Sequence, residues 1–128
     1  MTYYFTCTKD GTMEDAETRV TEALKAQGFG ILTEIDVQKT LKEKLDLSFR
    51  RYRILGACNP PFAHKALSMD DKIGLLLPCN VIVQERSDGK IEISAINPLE
   101  AMGFIDNPGM ASLAEQVSEK LKTAIDSL

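Results

Sequence analysis

The sequence has little of what marks several large classes of protein. It contains no tryptophan, one histidine and three cysteines among 128 residues. Three cysteines are too few for the disulfide framework of a small secreted domain, and none of them has the close spacing of a structural zinc site. No apolar run approaches the roughly 20 residues that cross a bilayer. The sequence therefore argues against a small secreted domain stabilised by disulfides and against a membrane protein.

The start of the sequence and the overall charge point to the inside of the cell. Residues 1–6 carry neither a basic cluster nor a long apolar run, so no secretory signal is predicted, and we expect a soluble, cytoplasmic protein. The net charge of −4 repels nucleic acids and anionic lipids. Basic residues crowd between Lys39 and Arg53, which we interpret as a solvated surface, with an anion or phosphate site as the alternative. We expect no nucleic-acid partner and no membrane partner.

The composition and periodicity predict one α+β domain that spans residues 1–128. Hydrophobic residues make up 44% and charged residues 27%, as in ordinary globular proteins. Alternating or helical spacing predicts the element order β-α-β-α-β-α-β-β-α-α. The strands are predicted at 3–8, 30–35, 49–58, 75–85 and 91–96. Asp88-Gly89 predicts a hairpin, which favours a mainly antiparallel sheet with its two long helices packed on one face.

Several residues are predicted to begin, end or interrupt these elements. Side chains of the type that caps helix N-termini precede four helices, and Gly28 follows the first helix in the position that favours a left-handed residue. Pro78 donates no backbone hydrogen bond, so it predicts an edge position or a bulge in the fourth strand. The predicted N-caps are Thr12, Asp36, Asn59 and Asn97.

Two Cys-Asn pairs stand at predicted strand ends. Cys58-Asn59 precedes a helix start, where backbone N–H groups and the helix dipole stabilise a thiolate. Cys79-Asn80 lies on the fourth strand, with Cys79 on the core side, where burial keeps a thiol protonated. We expect Cys58 and Cys79 to lie near each other at one end of the sheet, with Cys58 the more reactive thiol. Two further polar residues complete the candidate site: His64 and Asn97.

Each of these residues also has an ordinary structural explanation. A free cysteine is a small buried hydrophobe, an asparagine is a cap or turn residue, and the lone His64 suits a surface position. Alternatively, Cys58, His64 and Cys79 would supply three ligands of an open metal site, or His64 would serve as a base for a nucleophilic Cys58. No phosphate-binding loop, Ser-His-Asp order or dinucleotide fingerprint is present.

Three functions stay open on this basis. The first is a binding module at the strand ends for a small molecule or a metal, or one that senses oxidants through its thiols. The second is a structural or adaptor homodimer without pocket chemistry. The third is a cysteine-dependent enzyme, which a lone base without an orienting partner disfavours. The residues identify no cofactor and no reaction.

Three stretches of the sequence resemble a known family. Residues 28–37, 52–60 and 75–81 are similar to the bacterial and archaeal family named domain of unknown function 302, and the two Cys-Asn blocks are specific. The resemblance covers nearly the whole chain. It implies a compact fold similar to a single TATA-binding-protein-like unit, and a homodimer. It describes shape alone, so it implies no DNA binding, no activity and no catalytic residues.

Overall fold

The strands and helices follow one another in the predicted order. The computed structural model describes residues 2–128. Its elements are β1 (Tyr4–Lys9), α1 (Met13–Ala26), β2 (Gly30–Asp36), α2 (Val37–Leu45), β3 (Tyr52–Cys58), α3 (Pro60–Met69), a 3₁₀ turn (Ile73–Leu76), β4 (Cys79–Glu85), β5 (Ile91–Ile96), α4 (Pro98–Ala101) and α5 (Pro108–Asp126). Within residues 2–128, no helix has both the length and the apolar character that a bilayer crossing requires.

The first two helices begin after the predicted N-caps, and the first ends at the predicted glycine. Thr12 Oγ1 accepts a hydrogen bond from the Asp15 N–H at 3.1 Å at the start of α1, and Gly28 follows that helix with φ of +86°. Asp36 Oδ1 accepts from the Lys39 N–H at 3.0 Å at the start of α2. These side chains satisfy N–H groups that have no partner inside the helix, and the glycine adopts a left-handed conformation without steric cost.

The five strands form one antiparallel sheet. Their order is β1-β5-β4-β3-β2, and each neighbouring pair is antiparallel. The hairpin between β4 and β5 turns at Asp88-Gly89, where Gly89 has φ of +83°. The predicted sheet type is therefore confirmed, and β1 and β2 form its edges.

The buried residues form two clusters. The main core lies between one face of the sheet and helices α1 and α5, and it includes Leu24, Val81 and Leu121. A smaller cluster joins α3, the 3₁₀ turn and α5; its buried members are Ala66, Ile73, Met110 and Leu113. Phe62 packs against both clusters. The two clusters therefore meet beside the end of the sheet where β3 leads into α3.

Two strands begin three or four residues later than the sequence predicts, and β1 begins one residue later. β3 starts at Tyr52 rather than Phe49, and β4 starts at Cys79 rather than Leu75. Pro78 precedes β4 and follows a cis peptide bond. Because β4 lies between β3 and β5, the predicted edge position of Pro78 is wrong. The proline has no N–H, so the paired strand begins one residue after it.

Two of the predicted asparagine caps are also wrong. The side chains of Asn59 and Asn97 accept no hydrogen bond from the helices that follow them. In α3, Pro61 occupies the second position, whose N–H a cap would otherwise bind. In α4, the Leu99 N–H at that position donates to Ser118 Oγ at 3.0 Å instead. The Asn97 side chain instead points to α5, where its Oδ1 accepts from Ser118 Oγ at 2.7 Å.

Candidate functional site

A cavity of about 330 Å³ lies where the two hydrophobic clusters meet. Its walls are the ends of β3 and β4, the helices α3 and α5, and the 3₁₀ turn. Leu32 and Leu67 also line it and are themselves exposed, at 67% and 44%, so the cavity opens to solvent beside them. Most other lining residues are apolar: Phe29, Ala57, Phe62, Ala66, Ile73, Leu77, Met102, Met110, Leu113 and Val117.

The cavity brings together half of the predicted site residues. Cys58, Asn59 and Cys79 line it, which confirms that the two cysteines lie near each other at one end of the sheet. The other three do not line it. Asn80 is exposed on the opposite face of the sheet, His64 is exposed on α3, and Asn97 is buried at the start of α4.

Cys58 and Cys79 reach this end of the sheet from different faces. Cys79 pairs with Ala57, which is fully buried on the side of the helices. Side chains alternate along a strand, so Cys58 continues the opposite face, with Ile54 and Gly56. The two cysteines share one end of the sheet but not one face, and this arrangement does not favour a direct thiol pair.

The Cys79 thiol is perturbed by its surroundings. Burial raises the pKa of Cys79 to about 11, and the nearby Cys58 adds to the effect. This direction agrees with the expectation that the Cys79 thiol keeps its proton at neutral pH. A protonated thiol is a poor nucleophile and a poor metal ligand. In the cavity wall, Cys79 acts as a small polarisable hydrophobe.

The helix start beside Cys58 has fewer free donors than the sequence argument assumed. Pro60 and Pro61 fill the first two positions of α3 and carry no N–H. The Ala63 N–H donates to the Asn59 carbonyl oxygen at 2.9 Å. Only the Phe62 N–H remains in the first turn, so the proposed basis for a reactive Cys58 is weak.

The predicted metal site is wrong. Among the residues that the structure describes, no three histidine, cysteine, aspartate or glutamate side chains are grouped so that they could hold a metal ion. His64 lies outside the cavity that Cys58 and Cys79 line. Helical periodicity explains this, because residues two apart, such as His64 and Ala66, lie on nearly opposite sides of a helix.

Asn59 joins the end of α1 to the start of α3. The residue is only 8% exposed, and its Nδ2 donates to the Gln27 carbonyl oxygen at 3.2 Å. The amide packs against Gly28, where a Cβ would lie 3.0 Å from Nδ2. Within residues 2–128, no donor forms a hydrogen bond with Asn59 Oδ1. Sequence reasoning assigned this residue to a cap; the two prolines after it are the signal that another role was needed.

Comparison with known proteins places the chain in a family. The family model for the domain of unknown function DUF302 matches residues 5–128. The chain belongs to the DUF302 family. A crystal structure of an uncharacterized conserved DUF302 protein from Bacillus stearothermophilus is similar, with a TM-score of 0.90 and 28% sequence identity over 98% of each chain. No protein with a curated description matches.

This DUF302 domain has a second concave surface on the sheet face opposite α1 and α5. It measures about 420 Å³ and is lined by all three tyrosines of the chain, together with Asn80, Ile82, Gln84, Glu92, Ser94 and Ile96. Arg50 stacks 5.4 Å from the Tyr52 ring centroid, and its Nε donates to Gln84 Oε1 at 3.0 Å. The lining of this groove is more polar than that of the cavity at the sheet end.

Sequence reasoning on the DUF302 chain missed the apolar wall of the cavity. Ile73, Met110 and Leu113 have the spacing of ordinary core residues, and nothing in that pattern distinguishes a residue that packs from one that borders a cavity. Only the placement of the 3₁₀ turn between α3 and β4 creates the space. Leu75 and Leu76 of that segment are predicted as part of a longer strand instead.

Proposed function

We propose that this protein binds a small apolar molecule in the cavity at the end of the sheet. The observation that carries the proposal is the cavity itself: about 330 Å³, walled by apolar side chains and open to solvent beside Leu32 and Leu67. Ligand pockets in proteins start at roughly 300 Å³ and are lined mainly by such side chains. Burial of an apolar ligand contributes about 25 cal/mol for each Å² removed from water.

The same observations favour ligand binding over the thiol and metal alternatives. The thiol of Cys79 is protonated at neutral pH because burial raises its pKa to about 11. The three residues offered as metal ligands are not grouped. What remains at this site is a shaped apolar surface with one amide in its wall, and a surface of that kind binds without reacting.

Saturation-transfer NMR with naphthalene tests the proposal. Ala114 lines the cavity and is 6% exposed, so Ala114→Leu places a larger side chain into the space. Ala111 is exposed on the same helix, so Ala111→Leu is the matched control. We expect naphthalene to bind the unmodified chain and the Ala111→Leu variant, and to lose binding with Ala114→Leu. Absence of binding to the unmodified chain, or equal binding by all three, would contradict the proposal.

We also propose that two copies of the chain associate through the open face of the sheet. Ile35 pairs with Ile54, and Ile54 pairs with Ile82, so three isoleucines form a row across β2, β3 and β4 on the face opposite α1 and α5. Ile35 is 48% exposed. The chain has 7620 Å² of accessible surface. A standard interface buries roughly 800 Å² of each partner, so an interface on this face would cover about a tenth of that surface.

Sedimentation equilibrium at tens of micromolar protein tests this association. We expect a dimer for the unmodified chain and a monomer for Ile35→Glu, because a charge in the row would be buried without a partner. Leu47 is 53% exposed and lies outside the strands, so Leu47→Glu should remain dimeric. A monomeric unmodified chain would contradict the proposal.

A further inference from the structure

We infer that the cavity selects apolar molecules that carry one hydrogen-bond donor, such as a hydroxyl or an aromatic N–H group, and that Asn59 Oδ1 accepts this donor. The inference rests on the proposed binding function and specifies the chemistry of the ligand.

The acceptor has no partner in the protein but can be reached by a small molecule. Within residues 2–128, no side-chain nitrogen or oxygen is both fully buried and unpaired, so the unpaired Asn59 oxygen keeps contact with solvent. Asn59 lines the cavity and is 8% exposed. Its Nδ2 is occupied by the Gln27 carbonyl oxygen. No donor in residues 2–128 forms a hydrogen bond with its Oδ1, and the prolines at the first two positions of α3 cannot provide one. A ligand that fills the cavity takes water away from this oxygen, and it loses affinity unless it replaces the lost hydrogen bond, so a donor brought by the ligand would be recognised here.

The orientation of the amide is fixed by its surroundings. Reversal of the Asn59 side chain would place its oxygen against the Gln27 carbonyl oxygen, and two acceptors repel each other. Gly28, with φ of +86°, packs against the amide. A side chain at that position would meet Nδ2 at 3.0 Å. The Asn59 oxygen is therefore the atom left available.

The remaining walls restrict what else the ligand carries. No lysine, arginine, histidine, aspartate or glutamate lines the cavity. A charged ligand would be desolvated there without an opposite charge, which is strongly unfavourable. The thiol of Cys79 is protonated and only a weak hydrogen-bonding group. The ligand class is thus neutral and apolar with one donor.

The volume sets the size of the ligand. A water molecule occupies about 30 Å³ in the liquid, and a non-hydrogen atom of a ligand is assigned the same volume here. A cavity of about 330 Å³ then holds roughly eleven non-hydrogen atoms. The probes 2-naphthol and 2-methylnaphthalene both match this size and shape. They differ only in the exchange of a hydroxyl donor for a methyl group, so the pair isolates the contribution of the donor.

The test compares the affinities of these two probes by NMR titration. We expect the unmodified chain to prefer 2-naphthol by about fivefold to tenfold, the range for one neutral hydrogen bond. Asn59→Leu removes the acceptor and should reverse the preference towards 2-methylnaphthalene. Asn80→Leu alters the asparagine of the other Cys-Asn pair, which is exposed and outside the cavity, and should keep the preference.

A direct readout avoids reliance on the folding of the Asn59 variant. In the unmodified chain, the side-chain amide resonances of Asn59 should shift with 2-naphthol and far less with 2-methylnaphthalene. If both probes bind with equal affinity, or 2-methylnaphthalene binds more tightly, the cavity binds ligands but the role of Asn59 is refuted. If neither probe binds, both this inference and the proposed function are refuted.

Discussion

Ser118 on α5 donates a hydrogen bond to Asn97 Oδ1 at 2.7 Å and accepts one from the Leu99 N–H at 3.0 Å. Ser118 and Asn97 are both about 95% buried. We predict that Ser118→Ala lowers the free energy of unfolding by about 1–3 kcal/mol, because it leaves a buried acceptor and a buried N–H without partners. Urea unfolding measures this. Ser112→Ala, at an exposed position of α5, should change stability by less than about 0.5 kcal/mol; equal losses in the two variants would refute the role of Ser118.

Gly56 is the strand position with the least room for a side chain. A Cβ there would lie 2.8 Å from Pro78 Cγ and would also overlap Thr33 Oγ1. We predict that Gly56→Ala lowers the free energy of unfolding by about 1–3 kcal/mol through this crowding. Gly30 on β2 has no atom within 4 Å of its would-be Cβ, so Gly30→Ala is the control and should be nearly neutral or slightly stabilising. Thermal unfolding of both variants measures these changes. An unchanged stability of Gly56→Ala would contradict the close packing of Pro78.

Arg53 forms ion pairs with carboxylates on α1 and β2. Its Nη1 lies 3.1 Å from Glu17 Oε2 on α1 and 2.6 Å from Glu34 Oε1 on β2. Burial and the neighbouring Glu34 raise the pKa of Glu17. We predict that Arg53→Met costs about 1–2 kcal/mol at pH 7, since the two carboxylates then face each other unpaired. The loss should shrink near pH 4, where protonation of Glu17 relieves the repulsion.

The control for Arg53 is Arg19, which forms a solvent-exposed ion pair with Asp15. Both side chains of that pair are more than half exposed, so Arg19→Met should cost no more than about 0.5 kcal/mol. Chemical unfolding at the two pH values provides the comparison. A cost for Arg53→Met that is equally small, or that does not change with pH, would show that the cluster contributes nothing specific.

Local sequence signals predicted the elements that depend on local interactions. Thr12, Asp36 and Gly28 act through atoms within a few residues of themselves, and each occupies its predicted place. The predictions failed where a distant partner decides. The segment before Pro78 is predicted as a strand but forms a 3₁₀ turn. The Asn97 side chain does not cap α4, because it accepts a hydrogen bond from the buried Ser118, 21 residues away.

The candidate site divides in the same way. Strand alternation and the position of the Cys-Asn pairs were sufficient to predict that Cys58 and Cys79 lie at one end of the sheet. The function of that end could not be predicted, because the cavity depends on how α3 and the 3₁₀ turn pack against α5. The residues that create it, such as Ile73 and Met110, are indistinguishable in sequence from ordinary core residues.

Cys79 makes the stability of the protein depend on pH in the alkaline range. Its pKa is about 11 in the folded chain, against 9.0 for an unperturbed thiol. Between these values the unfolded chain has lost a proton that the folded chain keeps, so stability falls as pH rises. The contribution is complete below pH 9 and is lost towards pH 11, and two pKa units correspond to roughly 2–3 kcal/mol.

The measurement is urea unfolding between pH 8 and 11 on three chains. Other groups titrate in this range, so the relevant quantity is the difference from Cys79→Ala, which cannot ionise at that position. We expect the free energy of unfolding of the unmodified chain to fall more steeply with pH than that of Cys79→Ala. Cys58→Ala keeps the Cys79 thiol and should retain the steep slope. If the free energies of unfolding of the unmodified chain and of Cys79→Ala fall in parallel with pH, Cys79 is solvated in the folded state. The apolar character assigned to that wall of the cavity would then be wrong.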